Sequence, residues 1–493
     1  MHGMAEPFKR PSDMKHDERA ALRPPTGAAP HGDPRRGLMI SASGVRGIVG
    51  EALTPDVIAR FAGAHGSLLG PGPVVLGRDS RPSGAWVSRA AEAALLATGH
   101  DVVDVGIAPT PTILFAIRHH GAAGGLAVTA SHNPAPWNAL KLFGPGGTFL
   151  PPAQSEAVAR RALEGTAAWA RYDRVGAHRD DGEAIRRHRE AILALPGLHL
   201  ERIASRAFHV AVDCVNGAGS LATPPLLRAL GCRVEELYCT PDGLFPRGAE
   251  PLPEHLGDLG ALVRRSGAAI GFANDPDADR LAIVDERGEP IGEERTLQIA
   301  VDWALAHRAG PVVVNASTSM AVEEIALRYG ARVERTRVGE AHVAQVLLER
   351  GGVIGGEGNG GVIYPALHAT RDGLLAAAIA LDWLSMDARP LSERLATLPP
   401  VVMVKRKLEL RLDDPAALSQ ALAREFPDAE RNLLDGEKYL WEDGWVQVRP
   451  SGTEPVVRII AEAKTRDRAE ALAARAQTAT ERSQSARPAA RGA

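Results

Sequence analysis

The sequence predicts an α/β fold class with several domains, three of which share one pattern. Apolar strand-like runs alternate with helical patterns, and this β-α-β pattern recurs at intervals of roughly a hundred residues or more, which is a usual domain size. The 493 residues exceed what one hydrophobic core holds, so roughly three or four domains are expected. The alternation indicates parallel or mixed sheets with right-handed crossovers.

Each of the three repeats contains a strand, a helix and a second strand. The predicted segments lie at 73–77, 83–98 and 101–105, then at 208–214, 221–230 and 233–237, and finally at 312–314, 321–329 and 332–334. Short apolar runs predict the strands, and longer alanine- and leucine-rich patterns predict the helices.

The last part of the chain differs from the repeats. After the apolar residues 401–404, charged and apolar residues alternate over 407–412, as in a half-exposed strand. A helix at 415–426 and a strand at 439–448 follow. This pattern predicts a smaller α+β domain with an antiparallel sheet.

The predicted boundaries divide the chain into four domains with an extension at each end. Residues 1–36 and 481–493 lack periodicity and are expected to be disordered. The four domains are expected at 37–195, 196–299, 300–398 and 399–480.

Composition narrows the possible partners. The hydrophobic fraction of 45% and the charged fraction of 24% are those of an ordinary soluble protein, and no apolar stretch is long enough to span a bilayer. The net charge of −3 and the aromatic content of 4% argue against nucleic-acid binding. Three cysteines without metal-like spacing and the absence of a signal peptide pattern favour a cytoplasmic protein without a membrane partner.

A serine loop follows the first repeat. Thr129 to Pro134 come after the apolar run 125–128, and the proline favours a turn. Ser131 therefore lies at the carboxyl end of a strand, where α/β sheets bind ligands, with His132 beside it and Lys141 ten residues later. Such a serine can be a nucleophile or carry a phosphoryl group. Taken alone, a turn-forming or helix-capping serine is the more common interpretation.

Three carboxylates follow the next predicted core strand. Asp275, Asp277 and Asp279 alternate along a tight loop between the apolar runs 268–272 and 281–284. Carboxylates this close repel one another unless a cation neutralises them, and hard oxygen ligands suit Mg²⁺. The alternative is a solvated acidic loop. Arg280 next to them is a candidate for contacting a phosphate oxygen.

Two further loops carry candidate ligand-binding groups. The glycine-rich run 355–361 holds Glu357 and Asn359, which can bond to vicinal hydroxyls or an amine, although a flexible turn is equally compatible. Arg449 to Pro455, with Arg458 close behind, predicts an anion pocket, the alternative being a surface turn.

Two shorter basic segments are weaker signals. The first, 43–47, places Arg46 between glycines, and the second, 77–81, follows a strand and could be a charged turn.

Together these loops resemble those of the α-D-phosphohexomutase family, in the family's order, from about residue 38 to 475. The resemblance implies four domains around a central cleft, the first three being topologically similar mixed-sheet α/β domains. It implies that the Ser131 loop is the active-serine loop and that the aspartates form the metal loop. The loop at 356–361 would select the sugar, and the loop at 449–455 would bind phosphate.

The resemblance also implies a mechanism and a set of site residues. Ser131 would be carried as phosphoserine, and Mg²⁺ would be bound by the serine phosphate with Asp275, Asp277 and Asp279. The phosphoryl group would pass between a hexose 1- or 6-phosphate and Ser131 through a bisphosphate, with hexose 1,6-bisphosphate as activator. The residues implied in substrate binding are Arg280, Glu357, Asn359, Arg449, Ser451, Gly452, Thr453 and Arg458. The candidates for proton transfer or leaving-oxygen stabilisation are Lys141, Arg46 and His132.

Some positions depart from the family pattern. The start at 40–47 lacks the Phe-Gly-Thr sequence common in the family, although Gly44, Arg46 and Gly47 match. Asn359 stands where many glucose and mannose enzymes have serine, and resembles the phosphoglucosamine mutase branch. Glu340 in another substrate loop would suit a 2-amino group. We therefore expect a phosphoglucosamine mutase that acts on glucosamine 6-phosphate, and the alternative is a phosphomannomutase/phosphoglucomutase. The enzyme is expected to be a monomer or a homodimer.

Overall fold

The computed structural model describes residues 37–41, 44–410, 412, 414–450 and 456–485. The extension predicted at 1–36 and residues 486–493 of the predicted tail lie outside that range. Among the described residues, no helix is long and apolar enough to cross a bilayer.

The first sheet has eight strands in the order β1-β2-β6-β5-β3-β4-β8, with β7 beside β6. Its strands are β1 (Met39–Ser41), β2 (Gly44–Ile48), β3 (Val74–Arg78), β4 (Val102–Ile107), β5 (Gly124–Val128), β6 (Trp137–Gly144), β7 (Thr148–Phe149) and β8 (His178–Asp180). The helices of this region are α1 (Pro55–Gly66), α2 (Gly84–Ala97), α3 (Thr110–His119), α4 (Pro152–Glu164) and α5 (Ala184–Leu193).

The second and third sheets have four and five strands. The second contains β9 (His209–Asp213), β10 (Arg233–Leu237), β11 (Ile270–Asn274) and β12 (Leu281–Asp285), with helices α6 (Leu200–Ser205), α7 (Thr223–Ala229) and α8 (Gly257–Ser266). The third contains β13 (Val312–Asn315), β14 (Val333–Thr336), β15 (Ile354–Glu357), β16 (Gly361–Tyr364) and β17 (His368–Arg371). Its helices are α9 (Glu293–His307), α10 (Ala321–Arg328), α11 (Glu340–Glu349), α12 (Gly373–Ser385) and α13 (Leu391–Leu395).

The three sheets share one strand order, which confirms the predicted fold class. The orders β4-β3-β5-β6, β10-β9-β11-β12 and β14-β13-β15-β16 each join three parallel strands to a fourth, antiparallel strand. The third strand of each set is buried along its whole length, because helices or neighbouring loops cover both faces. The hairpin loop after that strand therefore has the same place in all three sheets.

The fourth sheet is antiparallel, in the order β18-β22-β21-β20-β19, as the predicted α+β domain requires. Its elements are β18 (Met403–Leu408), β19 (Glu430–Asn432), β20 (Glu437–Trp441), β21 (Gly444–Pro450), β22 (Val457–Ala463), α14 (Pro415–Glu425) and α15 (Arg466–Ser485). The strand predicted at 439–448 is wrong, because polar Glu442 and Asp443 form a turn that divides it into β20 and β21. The strand predicted at 407–412 is misplaced, because pairing with β22 places β18 at Met403–Leu408.

The tail predicted from residue 481 also begins too early. Helix α15 continues to Ser485, because its last turns still pack on the fourth core and bond to one another. Thr480 is buried and donates from Oγ1 to Ala476 O at 2.7 Å, and Gln477 Nε2 donates to Glu481 Oε1 at 2.8 Å.

One large apolar cluster joins the second and third sheets. Phe272 of β11, Val314 of β13 and Trp303 of α9 belong to it, and every residue of α12 is buried. This shared core fixes the loops of the two sheets relative to each other.

Candidate active site

Three equivalent hairpin loops carry the predicted motifs. The β5–β6 loop holds Ser131, the β11–β12 loop holds the three aspartates, and the β15–β16 turn holds Asn359, two residues after Glu357 at the end of β15. Because the three sheets share one strand order, each motif follows the third parallel strand. The Ser131 hydroxyl joins the first loop to the aspartate loop, and the backbone bond from Leu281 N to Gly360 O, at 3.0 Å, joins the β15–β16 turn to the end of the aspartate loop.

Ser131 faces the aspartate loop. Its backbone is left-handed (φ 48°), its side chain is almost fully buried, and Oγ donates to Asp275 Oδ2 at 3.0 Å. The Ser131 amide donates to Thr129 Oγ1 at 3.0 Å, and the Nδ1 atom of His132 lies 3.5 Å from the Ser131 hydroxyl. The serine that sequence alone could place in a simple turn is thus held against a carboxylate of another domain.

Arg81 holds the backbone of the Ser131 loop through hydrogen bonds. Its guanidinium is buried and donates four hydrogen bonds of 2.6–2.9 Å to backbone carbonyls of that loop, those of Ser131, Asn133, Pro134 and Trp137. Its Nε pairs with Asp79 at 3.0 Å. The sequence alone predicts no more than a possible charged turn for this segment. Its position at the end of β3, beside the serine loop, was the available signal.

The aspartate cluster has the composition and unsatisfied atoms of a cation site. One oxygen from each of Asp275, Asp277 and Asp279 lies within 4.8 Å of the others, and all three side chains are buried. Asp277 Oδ1 and Asp279 Oδ1 have no hydrogen-bond partner among the described residues. Buried carboxylate oxygens without donors are costly unless a cation binds them. The residues present therefore fit Mg²⁺, which prefers hard oxygen ligands.

The pKa values of Asp275 and Asp277 are shifted by the negative charge that the cluster concentrates. Burial raises the pKa of Asp275 well above its usual value, and the neighbouring Asp279 and Asp277 raise it further. Burial would also raise the pKa of Asp277, but Lys141 more than compensates and lowers it. Lys141 thus favours the carboxylate form of Asp277, whereas burial and the two neighbouring carboxylates oppose ionisation of Asp275.

Lys141 and Thr110 hold one oxygen of Asp277. Lys141 Nζ and Thr110 Oγ1 both donate to Asp277 Oδ2 at 2.7 Å, and Nζ lies 3.8 Å from Asp279 Oδ2. Burial lowers the pKa of Lys141, but the two aspartates outweigh it and the pKa is raised. Lys141 is consequently an ammonium cation at neutral pH. Thr110, at the start of α3, was not found from the sequence.

A group of basic side chains borders Ser131. Arg280 Nη2 lies 3.2 Å from His132 Nδ1, its Nη1 donates to Glu250 Oε1 at 3.2 Å, and Arg46 Nη1 donates to Asn133 Oδ1 at 3.1 Å. Burial, followed by Arg280 and Arg46, lowers the pKa of His132 well below its usual value. The imidazole is therefore neutral. Two guanidinium groups beside a serine hydroxyl form a suitable environment for a phosphate group.

The carboxylate of Glu357 is held by protein donors. Glu357 Oε1 accepts from Asn315 Nδ2 at 2.8 Å and from the Gly339 amide at 3.0 Å, and Oε2 accepts from Arg371 at 2.8 Å. Asn359 is half-buried, and its Oδ1 accepts from the Gly361 amide at 3.2 Å. Arg371 also contacts the aspartate loop, and no local sequence pattern predicts this role.

Glu340, which the sequence suggested for contacting an amino group, is buried inside the protein. It accepts from the Thr370 hydroxyl and, at 2.8 Å, from the Arg371 amide.

The predicted phosphate loop is described in part. Arg449 and Arg458 stand opposite each other on β21 and β22, and Arg449 Nη1 lies 3.6 Å from Asp435 Oδ2. The amide of Val338 in the third domain donates to the same Asp435 oxygen at 3.1 Å. This places both arginines beside the third domain. Ser451, Gly452 and Thr453 lie outside the described residues.

Comparison with known proteins assigns the class. Four consecutive family models match the chain: phosphoglucomutase/phosphomannomutase alpha/beta/alpha domains I, II and III at residues 38–168, 187–288 and 293–402, and the C-terminal domain at 408–479. The chain belongs to this phosphoglucomutase/phosphomannomutase family, the α-D-phosphohexomutases. It is therefore a phosphohexomutase, an intramolecular phosphotransferase of the isomerase class.

Individual relatives agree on the class and differ in their named substrate. A phosphoglucomutase/phosphomannomutase of Thermococcus kodakarensis is 39% identical over 88% of this chain and 96% of its own. A probable phosphoglucosamine mutase of Methanopyrus kandleri is 38% identical over the same shares. Among solved structures, a phosphoglucomutase/phosphomannomutase family protein from Burkholderia thailandensis has a TM-score of 0.80 at 28% identity, covering 91% of this chain and 99% of that one.

Proposed function

We propose that this phosphohexomutase converts glucosamine 6-phosphate to glucosamine 1-phosphate through a phosphoserine at Ser131 and a bisphosphate intermediate. The observation that carries the proposal is the 3.0 Å contact between Ser131 Oγ and Asp275, beside two buried aspartate oxygens that have no donor among the described residues. A phosphoryl group on that hydroxyl would lie against a cation site. Positioning and charge neutralisation are the main requirements of phosphoryl transfer.

Four groups would hold the Mg²⁺ ion: the phosphate on Ser131 and the carboxylates of Asp275, Asp277 and Asp279. The cation would supply neutralisation of the negative charge on the transferring phosphoryl group. The pairs that Lys141 and Arg371 make with the aspartates orient these carboxylates.

The phosphoryl group leaves Ser131 Oγ and forms a bond to a hexose hydroxyl oxygen, giving the bisphosphate. The Oγ atom takes up a proton as the hexose hydroxyl loses one. The other phosphate then transfers to Ser131 in the reverse sense. Lys141, as an ammonium ion, stabilises the charge on the leaving oxygen, and neutral His132 is the candidate that accepts a proton. Arg46 and Arg280 attract the phosphate oxygens.

The distant phosphate would be bound by the fourth domain. Arg449 and Arg458 supply the positive charge, together with Ser451, Gly452 and Thr453. Glu357 and Asn359 would bind the sugar hydroxyls or amine. The same arginine pair would serve both orientations of the bisphosphate, since guanidinium groups bind any phosphate.

Asn359 and the relatives named probable phosphoglucosamine mutase support the glucosamine substrate. The 39% identical relative supports the alternative, a phosphomannomutase/phosphoglucomutase. The ratio of kcat/KM for glucosamine, glucose and mannose 6-phosphates, measured with Mg²⁺ and glucose 1,6-bisphosphate, separates them. Preference for glucose or mannose 6-phosphate would contradict the first assignment. We place the enzyme in the cytoplasm, as monomer or homodimer, with small-molecule hexose phosphates as its partners.

The nucleophile is tested with Ser131→Ala and the matched control Ser205→Ala, whose serine is exposed at the end of α6. After incubation with glucose 1,6-bisphosphate, intact-mass spectrometry should show one added phosphoryl group in the wild type and the control and none in Ser131→Ala. Mutase activity should be lost only in Ser131→Ala. Full activity in that variant would exclude Ser131 as the phosphate carrier.

A further inference from the structure

Arg371 contacts three carboxylates from different parts of the site. Its Nη2 lies 2.5 Å from Asp279 Oδ2, its Nη1 lies 2.8 Å from Glu357 Oε2, and its Nε lies 3.1 Å from Glu340 Oε2. All four side chains are at most 10% exposed. One guanidinium therefore links the metal loop, the sugar loop and the start of α11. The three carboxylates raise the pKa of Arg371 well above its usual value despite its burial.

The contact between Arg371 and Asp279 fixes the orientation of the Asp279 carboxylate. Arg371 holds Oδ2, while Oδ1 has no hydrogen-bond partner within the described part of the chain. Asp277 is arranged in the same way, since Lys141 and Thr110 hold its Oδ2, while its Oδ1 has no hydrogen-bond partner among the residues described. In each aspartate one oxygen is anchored, and the other lacks a hydrogen bond within the described residues and is available to a cation, with Arg280 Nε 3.9 Å from Asp279 Oδ1. Charged groups behind metal ligands fix ligand orientation in this way.

The contact with Glu357 completes the fixation of the sugar loop. Asn315 and the Gly339 amide occupy Oε1, and Arg371 holds Oε2. Burial would raise the pKa of Glu357, but Arg371 and then Asn315 lower it, so the group is a carboxylate.

Arg371 is itself fixed in position. Its amide donates to Glu340 Oε1 at 2.8 Å, and the next residue, Asp372, caps α12 through Leu374 and Leu375. The other Asp372 oxygen lies 2.9 Å from both His188 Nε2 and His368 Nε2. Arg371 therefore projects from a rigid junction at which α5, β17 and α12 meet.

We propose that Arg371 is a positioning residue that orients Asp279 for the divalent cation and Glu357 for the hexose at the same time. The metal and sugar sites thereby share one anchor. The part that concerns Glu357 rests on the proposed function, whereas the part that concerns Asp279 needs only the cation site.

The metal part is tested on the full-length protein without substrate. Mn²⁺ is titrated and the free ion is followed by electron paramagnetic resonance, for the wild type, Arg371→Gln and Arg371→Lys. We expect the Kd of Mn²⁺ to rise about 10- to 100-fold in Arg371→Gln, as for other residues behind metal ligands. Arg371→Lys should give a smaller rise, because one ammonium group can hold Asp279 without the guanidinium's fork.

Arg118→Gln is the matched control, because Arg118 of the first domain donates to Leu367 O of the third and has no hydrogen bond or ion pair with the aspartate loop within the described part of the chain. Its Kd should equal that of the wild type. Circular dichroism confirms that each variant is folded, and if Arg371→Gln does not fold, Arg371→Lys decides. A Kd within twofold of the wild type in the folded variant overturns the proposal.

The sugar part is tested by kinetics at saturating Mg²⁺. Arg371→Gln should raise KM more than it lowers kcat and should reduce the ratio of kcat/KM between glucosamine and glucose 6-phosphates. If Mn²⁺ binding weakens but the ratio of kcat/KM between the two hexose phosphates is unchanged, Arg371 does not position Glu357 and the proposal that it serves both sites is wrong. If the wild type converts no hexose phosphate, the proposed function fails, while the Mn²⁺ titration still tests the orientation of Asp279.

Discussion

The guanidinium of Arg81 lies behind Ser131 and donates to the carbonyl oxygen of that residue at 2.7 Å. The same group is paired with Asp79 at 3.0 Å, and both side chains are completely buried. Ser131 has the left-handed backbone conformation that non-glycine residues rarely adopt. The backbone hydrogen bonds from Arg81 stabilise this conformation, so the presentation of the serine hydroxyl depends on a cation from another loop.

Replacing Arg81 should therefore affect both stability and activity. Arg81→Met leaves Asp79 as an uncompensated buried carboxylate, and we expect a loss of about 3–5 kcal/mol in the free energy of unfolding. Arg81→Lys keeps the charge but has too few donors for all the carbonyls, so kcat should fall in the folded enzyme. Urea denaturation and kinetics measure these effects, with Arg89→Lys on the exposed face of α2 as control. An unchanged urea midpoint in Arg81→Met would refute this role.

Thr110 links α3 to the metal loop, and its removal should weaken metal binding. Its hydroxyl donates to Asp277 Oδ2 at 2.7 Å and its amide donates to Asp277 O at 2.9 Å. Thr110→Val keeps the shape and loses the hydroxyl, so Mg²⁺ affinity should fall about tenfold, or about 1.4 kcal/mol. Thr110→Ser retains the hydroxyl donor and should bind Mg²⁺ with the affinity of the wild type. Isothermal titration with Mg²⁺ compares the two variants, and equal affinities would show that the hydroxyl has no part in orienting Asp277.

Gly373 lets α12 begin directly against the metal loop. A Cβ atom there would lie 2.5 Å from Arg280 O and 2.8 Å from Ala278 O, both of them backbone atoms. We expect Gly373→Ala to lower the free energy of unfolding by about 1–3 kcal/mol and to weaken Mg²⁺ binding. At Gly257, the first residue of α8, an added Cβ meets nothing within 4 Å, so Gly257→Ala is the control. If both variants unfold at the same urea concentration, the close packing at Gly373 is not required.

His65 should make stability depend on pH. The ring is fully buried in α1, with Nε2 3.1 Å from Gly125 O, and burial lowers its pKa to about 4. The unfolded state, with a pKa near 6.5, binds the proton more readily, so stability falls as the pH drops from 6.5 towards 4. The difference between the folded and unfolded pKa values of His65 corresponds to a loss of about 3 kcal/mol in the free energy of unfolding once the pH is below both.

This dependence is measured by urea denaturation between pH 4 and 7. His65→Gln, which does not titrate, should show a smaller loss of stability over that interval than the wild type. At pH 7 and above, the difference between the two proteins should no longer change with pH. Parallel curves from pH 7 to pH 4 would show that His65 does not carry the effect.

The local pattern of apolar and polar residues was sufficient to predict the three repeated β-α-β units. The strand predicted at 233–237 coincides with β10, and most other predicted elements differ from the observed ones by one or two residues. The prediction failed at 439–448, where both flanking strands have suitable composition and only pairing across Glu442 and Asp443 reveals the turn. The aspartate loop could be found because its three carboxylates are adjacent in the chain.

The sequence by itself determined the three β-α-β units, the antiparallel last domain and the loops that identify the family, because each depends on residues close in the chain. Only the tertiary structure decided which groups support those loops. Arg81 bonds to Ser131 across 50 positions, Arg371 to Asp279 across 92 and Thr110 to Asp277 across 167. Such pairs exist only after the sheets pack. That packing anchors one oxygen each of Asp277 and Asp279 and leaves the other for a cation.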